Sequence, residues 1–134
     1  MPINLSSLQT VMLVDDDAAT NFIHEQFIRE AGFLGTIQAF QRADEAAEHL
    51  AMHRPQILFL DLNMPGMDGW EFLDALEQRS ELARPDALVV LTTSLNPDHH
   101  ERAAAHPLVN TVLNKPLTPE GLAQALIPIN QSHA

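Results

Sequence analysis

The sequence predicts an α/β fold, a three-layer sandwich of one parallel sheet between two layers of helices. Two observations carry this. Five short apolar runs, Val11–Val14, Thr36–Phe40, Ile57–Leu60, Ala87–Leu91 and Thr111–Leu113, alternate strictly with helical patterns. Three of the runs lack polar alternation, as strands covered on both faces do. Alternating units of this kind join parallel strands through right-handed crossovers.

Each element has its own justification. After the first run, Phe22, Ile23, Phe27 and Ala31 recur at three-to-four spacing, which predicts an amphipathic helix with these residues inward; Asp17 can cap its start and Gly32 can stop it. The second helix is expected over Ala43–His53, with Ala46, Ala47 and Leu50 inward and Pro55 as the break. The third begins near Gly69 and buries Phe72, Leu73 and Leu76. Asn96-Pro97 opens the fourth, where Ala103 and Ala104 allow close packing, and Thr118-Pro119-Glu120 opens the fifth, carrying Leu122 and Leu126. Asn130–Ala134 are expected to fray.

Composition bounds the function. At 134 residues and 46% hydrophobic, the chain fits one domain across 1–134 with a core over about 9–128 and no output domain. Eighteen acidic against seven basic side chains give a net charge of −11, which opposes binding to nucleic acid or to an anionic membrane. No apolar run approaches the roughly 20 residues of a membrane span, the first residues carry no signal-peptide pattern, and there is no cysteine. The expected setting is the cytoplasm.

The chemistry lies at the ends of the strands. Asp15, Asp16 and Asp61 follow directly on the first and third runs, and Thr92 and Lys115 follow the fourth and fifth. Ligands of open α/β sheets sit outside the carboxyl ends of the strands where the strand order reverses, so these side chains converge if strands one and three are neighbours. Two carboxylates about 4 Å apart repel by roughly 4 kcal/mol at an effective dielectric near 20, and a proton or cation must relieve this. A few hard oxygen ligands without cysteine or paired histidine favour Mg²⁺. A cation beside a carboxylate, an amine and a hydroxyl suits phosphoryl transfer, with Asp61 as nucleophile, Lys115 on one phosphoryl oxygen and Thr92 on another. Taken singly, Asp15-Asp16-Asp17 is a helix-capping cluster, Asn63-Met64-Pro65-Gly66 a turn former, Thr92 a β-prone residue and Lys115 a solvated charge; their joint occurrence at successive strand ends favours the site.

Val14-Asp15-Asp16-Asp17, Leu60-Asp61-Leu62-Asn63-Met64-Pro65-Gly66-Met67-Asp68-Gly69, Leu91-Thr92-Thr93-Ser94 and Asn114-Lys115-Pro116, in that order, resemble a response-regulator receiver domain over essentially the whole chain. The resemblance implies a flavodoxin-like, doubly wound sheet of order 2-1-3-4-5. It implies that Asp61 accepts a phosphoryl group from a phosphohistidine on a sensor histidine kinase or histidine phosphotransfer protein. It implies Mg²⁺ held by Asp16 and Asp61, by Asp15 through water and by the Asn63 backbone carbonyl, with Thr92 and Lys115 on the phosphoryl group and a cis Lys115–Pro116 bond. Such a protein is not an enzyme beyond its own phosphorylation and dephosphorylation, and signals to a downstream protein target as a monomer or a phosphorylation-linked dimer. With no output domain expected, the stand-alone type is implied.

Two positions depart from the family pattern. Val112 stands where many receivers carry an aromatic ring, and Thr93 stands where a smaller residue is usual. The family's output face places Leu95, Val109 and Leu122 as candidate contacts, although core burial explains each of them at least as well. His49 and His53 lie four apart without an evident third ligand, His99-His100 reads as a polar helix start, and Trp70 either faces the pocket or packs in the core. The rival readings are a protein-binding module that is never phosphorylated and a Mg²⁺-dependent phosphohydrolase with an aspartyl-phosphate intermediate; the latter is opposed by Asp61-Leu62-Asn63 where Asp-x-Asp is usual.

Overall fold

A computed structural model describes residues 5–64, 66–93 and 96–132. Strands β1 (Thr10–Val14), β2 (Thr36–Phe40), β3 (Ile57–Leu60), β4 (Ala87–Thr92) and β5 (Thr111–Asn114) alternate with helices α1 (Ala18–Glu30), α2 (Ala43–Leu50), α3 (Gly69–Gln78), α4 (Pro97–Ala105) and α5 (Pro119–Ala125), and a short α6 (Ile127–Ser132) follows. The sheet is parallel throughout, in the order β2-β1-β3-β4-β5. The expected α/β architecture and strand order are both present.

Strand alternation divides the core in two. Met12, Val14, Leu58, Leu60, Leu88 and Val90 face α2, α3 and Ala103 of α4. Val11, Leu13, Ile57, Phe59, Val89 and Leu91 face Ile28 of α1 and Leu122, Ala125, Leu126 and Ile129. Neighbouring residues of a strand point to opposite faces, so continuous apolar runs are what a sheet covered on both sides requires. β1, β3 and β4 are buried almost throughout, whereas the edge strands are not.

The helix starts follow their capping chemistry. Asp17 accepts from the Ala19 and Thr20 amides, Asn96 from Asp98, and Thr118 from Gly121. Asp68 and Glu71 form a reciprocal capping box at α3.

Several expectations need correcting. In α1 the buried residues are Asn21, His24 and Ile28, while Phe22 and Ile23 face solvent at 62% and 57% exposure. Phe27 and Ala31 pack on the core as expected, so the correction concerns Phe22 and Ile23. Helix α2 stops at Leu50, three residues before His53, through a turn in which Met52 and His53 amides both donate to the His49 carbonyl. Ala103 is buried as expected but Ala104 is exposed. Asn130 to Ser132 are helical rather than frayed, in an α6 docked by a fully buried Ile129, while His133 and Ala134 lie outside the described residues. Pro128 has no N–H to donate to Gln124, which separates α6 from α5 although the Asn130 amide still reaches the Leu126 carbonyl at 2.9 Å. No helix of the described residues is long and apolar enough to cross a membrane.

Candidate functional site

Four strand ends build the site, and the three charged residues that follow β1, β3 and β5 are each anchored by a backbone hydrogen bond just past the strand. The Asp15 amide donates to the Phe40 carbonyl of β2 at 3.0 Å, the Asp61 amide to the Val14 carbonyl of β1 at 2.9 Å, and the Lys115 amide to the Thr92 carbonyl of β4 at 3.0 Å. Because β1 lies between β2 and β3, Asp15 and Asp61 emerge side by side. The expected convergence is therefore a consequence of strand order.

Asp15 and Asp61 are 5% and 6% exposed, and Asp16 is exposed. One carboxylate oxygen from each of Asp15, Asp16 and Asp61 lies within 4.8 Å of the others, the one group of three potential ligands among the described residues that is arranged to hold a metal ion. Lys115 reaches in from β5: its Nζ lies 2.5 Å from Asp15 Oδ2 and 3.3 Å from Asp61 Oδ1. The Lys115–Pro116 peptide is cis. Thr92 is buried at the end of β4, and its carbonyl supports the Lys115 backbone.

Electrostatics follow from this crowding. Burial pushes the Asp61 carboxyl above its ordinary value and the Asp15 charge adds to the shift, while the Lys115 ammonium acts against them. Burial acts to lower Lys115, but its hydrogen bond to Asp15 and the charges of Asp61 and Asp15 prevail and raise it. The lysine is thus held as a cation beside a carboxylate whose charged form is costly. Such a carboxylate gains from bonding to an electrophile flanked by positive charge.

The loop after Asp61 is tightly constrained. The Asn63 amide donates to Asp61 Oδ1 at 3.3 Å. Gly66 has a φ of 74°, in the left-handed region. Gly69 begins α3 pressed against the same loop: a Cβ there would stand 2.5 Å from Leu62 Cα and 2.6 Å from the Asp61 carbonyl oxygen. Pro65 lies outside the described residues.

The remaining candidates fall away from this site. The rings of His49 and His53 stack at 4.6 Å, and no third ligand joins them among the described residues. Trp70 packs on the core under the Arg102 guanidinium, 3.9 Å from its ring centroid. Thr93 is exposed, and Val112 is half-buried against the α2–α4 side of the core. For Leu122 and Val109 the core reading is the one present: Leu122 is 1% exposed and Val109 packs on the core. Leu95 and Ser94 lie outside the described residues. Sequence reasoning missed Asn21 and His24, which line the same cavity as Asp15 and Asp61. Their signal was spacing: both fall seven and four residues before buried Ile28, on one helical stripe.

Comparison with known proteins agrees with this geometry. Residues 11–127 match the family model described as response regulator receiver domain. The chain is 33% identical over 127 residues to the probable methanogenesis regulatory protein FilR2 of Methanothrix harundinacea, covering 90% of this chain and 81% of that protein. It is 31% identical over 120 residues to the nitrate/nitrite response regulator protein NarL of Escherichia coli, covering 87% of this chain but 52% of NarL. Among solved structures, a two component response regulator from Cytophaga hutchinsonii superposes with a TM-score of 0.85 at 28% identity, covering 92% of this chain and 98% of that one. The Vibrio cholerae chemotaxis protein CheY4 gives 0.74 at 25% identity, covering 91% and 98%.

Proposed function

Because this chain belongs to the response regulator receiver domain family, we propose that Asp61 accepts a phosphoryl group from a phosphohistidine in a two-component phosphorelay. The observation that carries this reading is the placement of the Asp61 carboxylate, buried between two further carboxylates and the Lys115 ammonium 3.3 Å away. The donor is a sensor histidine kinase or a histidine phosphotransfer protein, and the setting is the cytoplasm.

In the transfer, an Asp61 carboxylate oxygen forms a bond to phosphorus as the phosphorus–nitrogen bond of the phosphohistidine breaks. The nitrogen keeps the electron pair and takes up a proton, leaving neutral histidine on the donor and an acyl phosphate on Asp61. Lys115 pairs with a phosphoryl oxygen, and the Thr92 hydroxyl hydrogen-bonds another. The trio Asp15, Asp16 and Asp61 offers the few hard oxygens that suit Mg²⁺, with the Asn63 carbonyl as a further ligand. Bound there, Mg²⁺ supplies positive charge to the phosphoryl oxygens. The chain acts only on itself, forming and losing its own acyl phosphate. Phosphorylation adds charge and acceptors to the pocket, which shifts the surface offered to a downstream protein.

The test is incubation with acetyl phosphate and Mg²⁺, read as a gain of one HPO₃ by intact mass. Wild type is expected to gain it and Asp61→Asn to remain unmodified. Wild type without the gain would overturn the phosphoacceptor role. The rival phosphohydrolase predicts sustained release of phosphate from monoesters, which the same samples measure.

A further inference from the structure

Helix α1 buries two polar residues beside Ile28 and exposes two of its large apolar ones. Asn21 and His24 are 5% and 3% exposed, while Phe22 and Ile23 between them lie in solvent. Burying an amide and an imidazole while hydrocarbon stays in water forgoes transfer free energy. Departures of this kind from local pattern concentrate at working sites.

The partners of both residues lead to the acidic pocket. Asn21 Nδ2 donates to the carbonyls of Asp15 at 2.9 Å and Phe40 at 3.3 Å, joining α1 to the ends of β1 and β2. His24 Nε2 accepts the Leu117 amide proton at 3.3 Å. Leu117 lies two residues beyond Lys115, whose own amide is held by Thr92. The segment Lys115–Leu117 is therefore tied at one end to the sheet and at the other to α1. Both ties fix the backbone from which the Lys115 ammonium reaches Asp15 and Asp61.

We propose that His24 is a positioning residue for phosphoryl transfer: by accepting the Leu117 amide proton, it sets where the Lys115 ammonium stands over Asp61. The consequence for transfer rests on the phosphoacceptor reading above; the tie itself does not. The role assigned to His24 is its bond to the Leu117 amide, not a contact with the phosphoryl group. Its effect passes through the Lys115 backbone, and misplacing a reacting partner by a fraction of an ångström is costly.

The test compares His24→Leu and His24→Val, which remove the acceptor, with His24→Gln, which offers an amide oxygen. The rate of HPO₃ gain from acetyl phosphate is expected to fall roughly ten-fold in the Leu and Val variants, with the Mg²⁺ concentration for half-maximal rate unchanged, and Gln is expected to recover most of the loss. In a Lys115→Met background His24→Leu should cause no further slowing, a result that general damage to the fold would not produce. Equal slowing in both backgrounds, or a Gln variant as slow as Leu, overturns the proposal. Hydrogen exchange at the Leu117 amide reads the tie without phosphoryl chemistry. It should accelerate in His24→Leu and His24→Val while amides of β3 keep their protection, and unchanged exchange overturns the tie. A wild type that never gains HPO₃ removes the phosphoacceptor reading and the rate consequence with it, while Leu117 exchange still decides whether His24 holds the segment.

Discussion

Replacing Asp61 by asparagine should stabilise the metal-free protein. Oxygens of Asp15 and Asp16 lie within 4.8 Å of one on Asp61, so at an effective dielectric near 20 each repels it by roughly 3.5 kcal/mol. The Lys115 ammonium at 3.3 Å returns about 5 kcal/mol on the same basis. Repulsion exceeds attraction by about 2 kcal/mol, and burial of the charge adds to the excess. Screening of the exposed Asp16 reduces it, leaving a gain of about 1–2 kcal/mol for Asp61→Asn. For a domain of this size that corresponds to a rise in Tm of roughly 3–8 °C. The assay is thermal or urea unfolding at pH 7 in chelator and again in saturating Mg²⁺. In Mg²⁺ the order should reverse, because a ligand at about 100 times its Kd adds about 2.7 kcal/mol to the form that binds it. The pH dependence has a definite sign. Burial raises the folded Asp61 value above its ordinary 3.8, so the native state gains protons first on acidification. Its stability contribution is complete below about pH 3.8 and is lost as pH rises through the folded value. The advantage of the asparagine variant is therefore largest at neutral pH and disappears in acid. An asparagine variant less stable than wild type in chelator at pH 7 would refute this account of the pocket.

Four further outcomes follow from the same structure. Lys115→Met should destabilise the metal-free protein by about 3 kcal/mol, by leaving two buried carboxylates without their cation, and Mg²⁺ should recover part of this; urea unfolding with and without Mg²⁺ measures both. Gly69→Ala should cost about 2–3 kcal/mol and slow HPO₃ gain at Asp61, since the added methyl meets the Leu62 and Asp61 backbone; unfolding and intact mass read the two effects. Burial lowers the His24 pKa, with the Asp15 charge opposing, so below about pH 6.5 the unfolded chain binds a proton the folded one refuses. Stability should then fall by up to about 1.4 kcal/mol per pH unit, and His24→Gln should remove that part of the slope in urea titrations between pH 7 and 5. Arg102→Ala should cost about 0.5–1 kcal/mol and alter the emission of Trp70, the sole tryptophan, because the guanidinium lies over its ring.

How much of the site the sequence discloses depends on the kind of interaction. Asp15, Asp16 and Asp61 are readable because Asp15 and Asp61 directly follow apolar runs and Asp16 comes next after Asp15, and a strand end is a local property. Lys115 is readable from its place after the last strand, yet its contact with Asp15, a hundred residues earlier, is a matter of strand order. Helix α1 shows the opposite case. Its apolar residues Phe22 and Ile23 indicate one inward face, and the sheet selects another. The choice is made by partners that periodicity does not contain: carbonyls of Asp15 and Phe40 for Asn21, and the Leu117 amide for His24. Likewise α6 carries a proline, Pro128, in its first turn, and the burial of Ile129 against the sheet is what orders it.

The sequence by itself determined the α/β alternation, the helix caps and the acidic residues at the strand ends, because hydrophobic period, capping and turn chemistry act over a few residues. Only the tertiary structure decided that Lys115 stands between Asp15 and Asp61, that α1 turns Asn21 and His24 inward, and that Ile127–Ser132 docks as a helix. Those outcomes depend on which backbone groups distant segments present to one another, and that is settled only when the strands have taken their order.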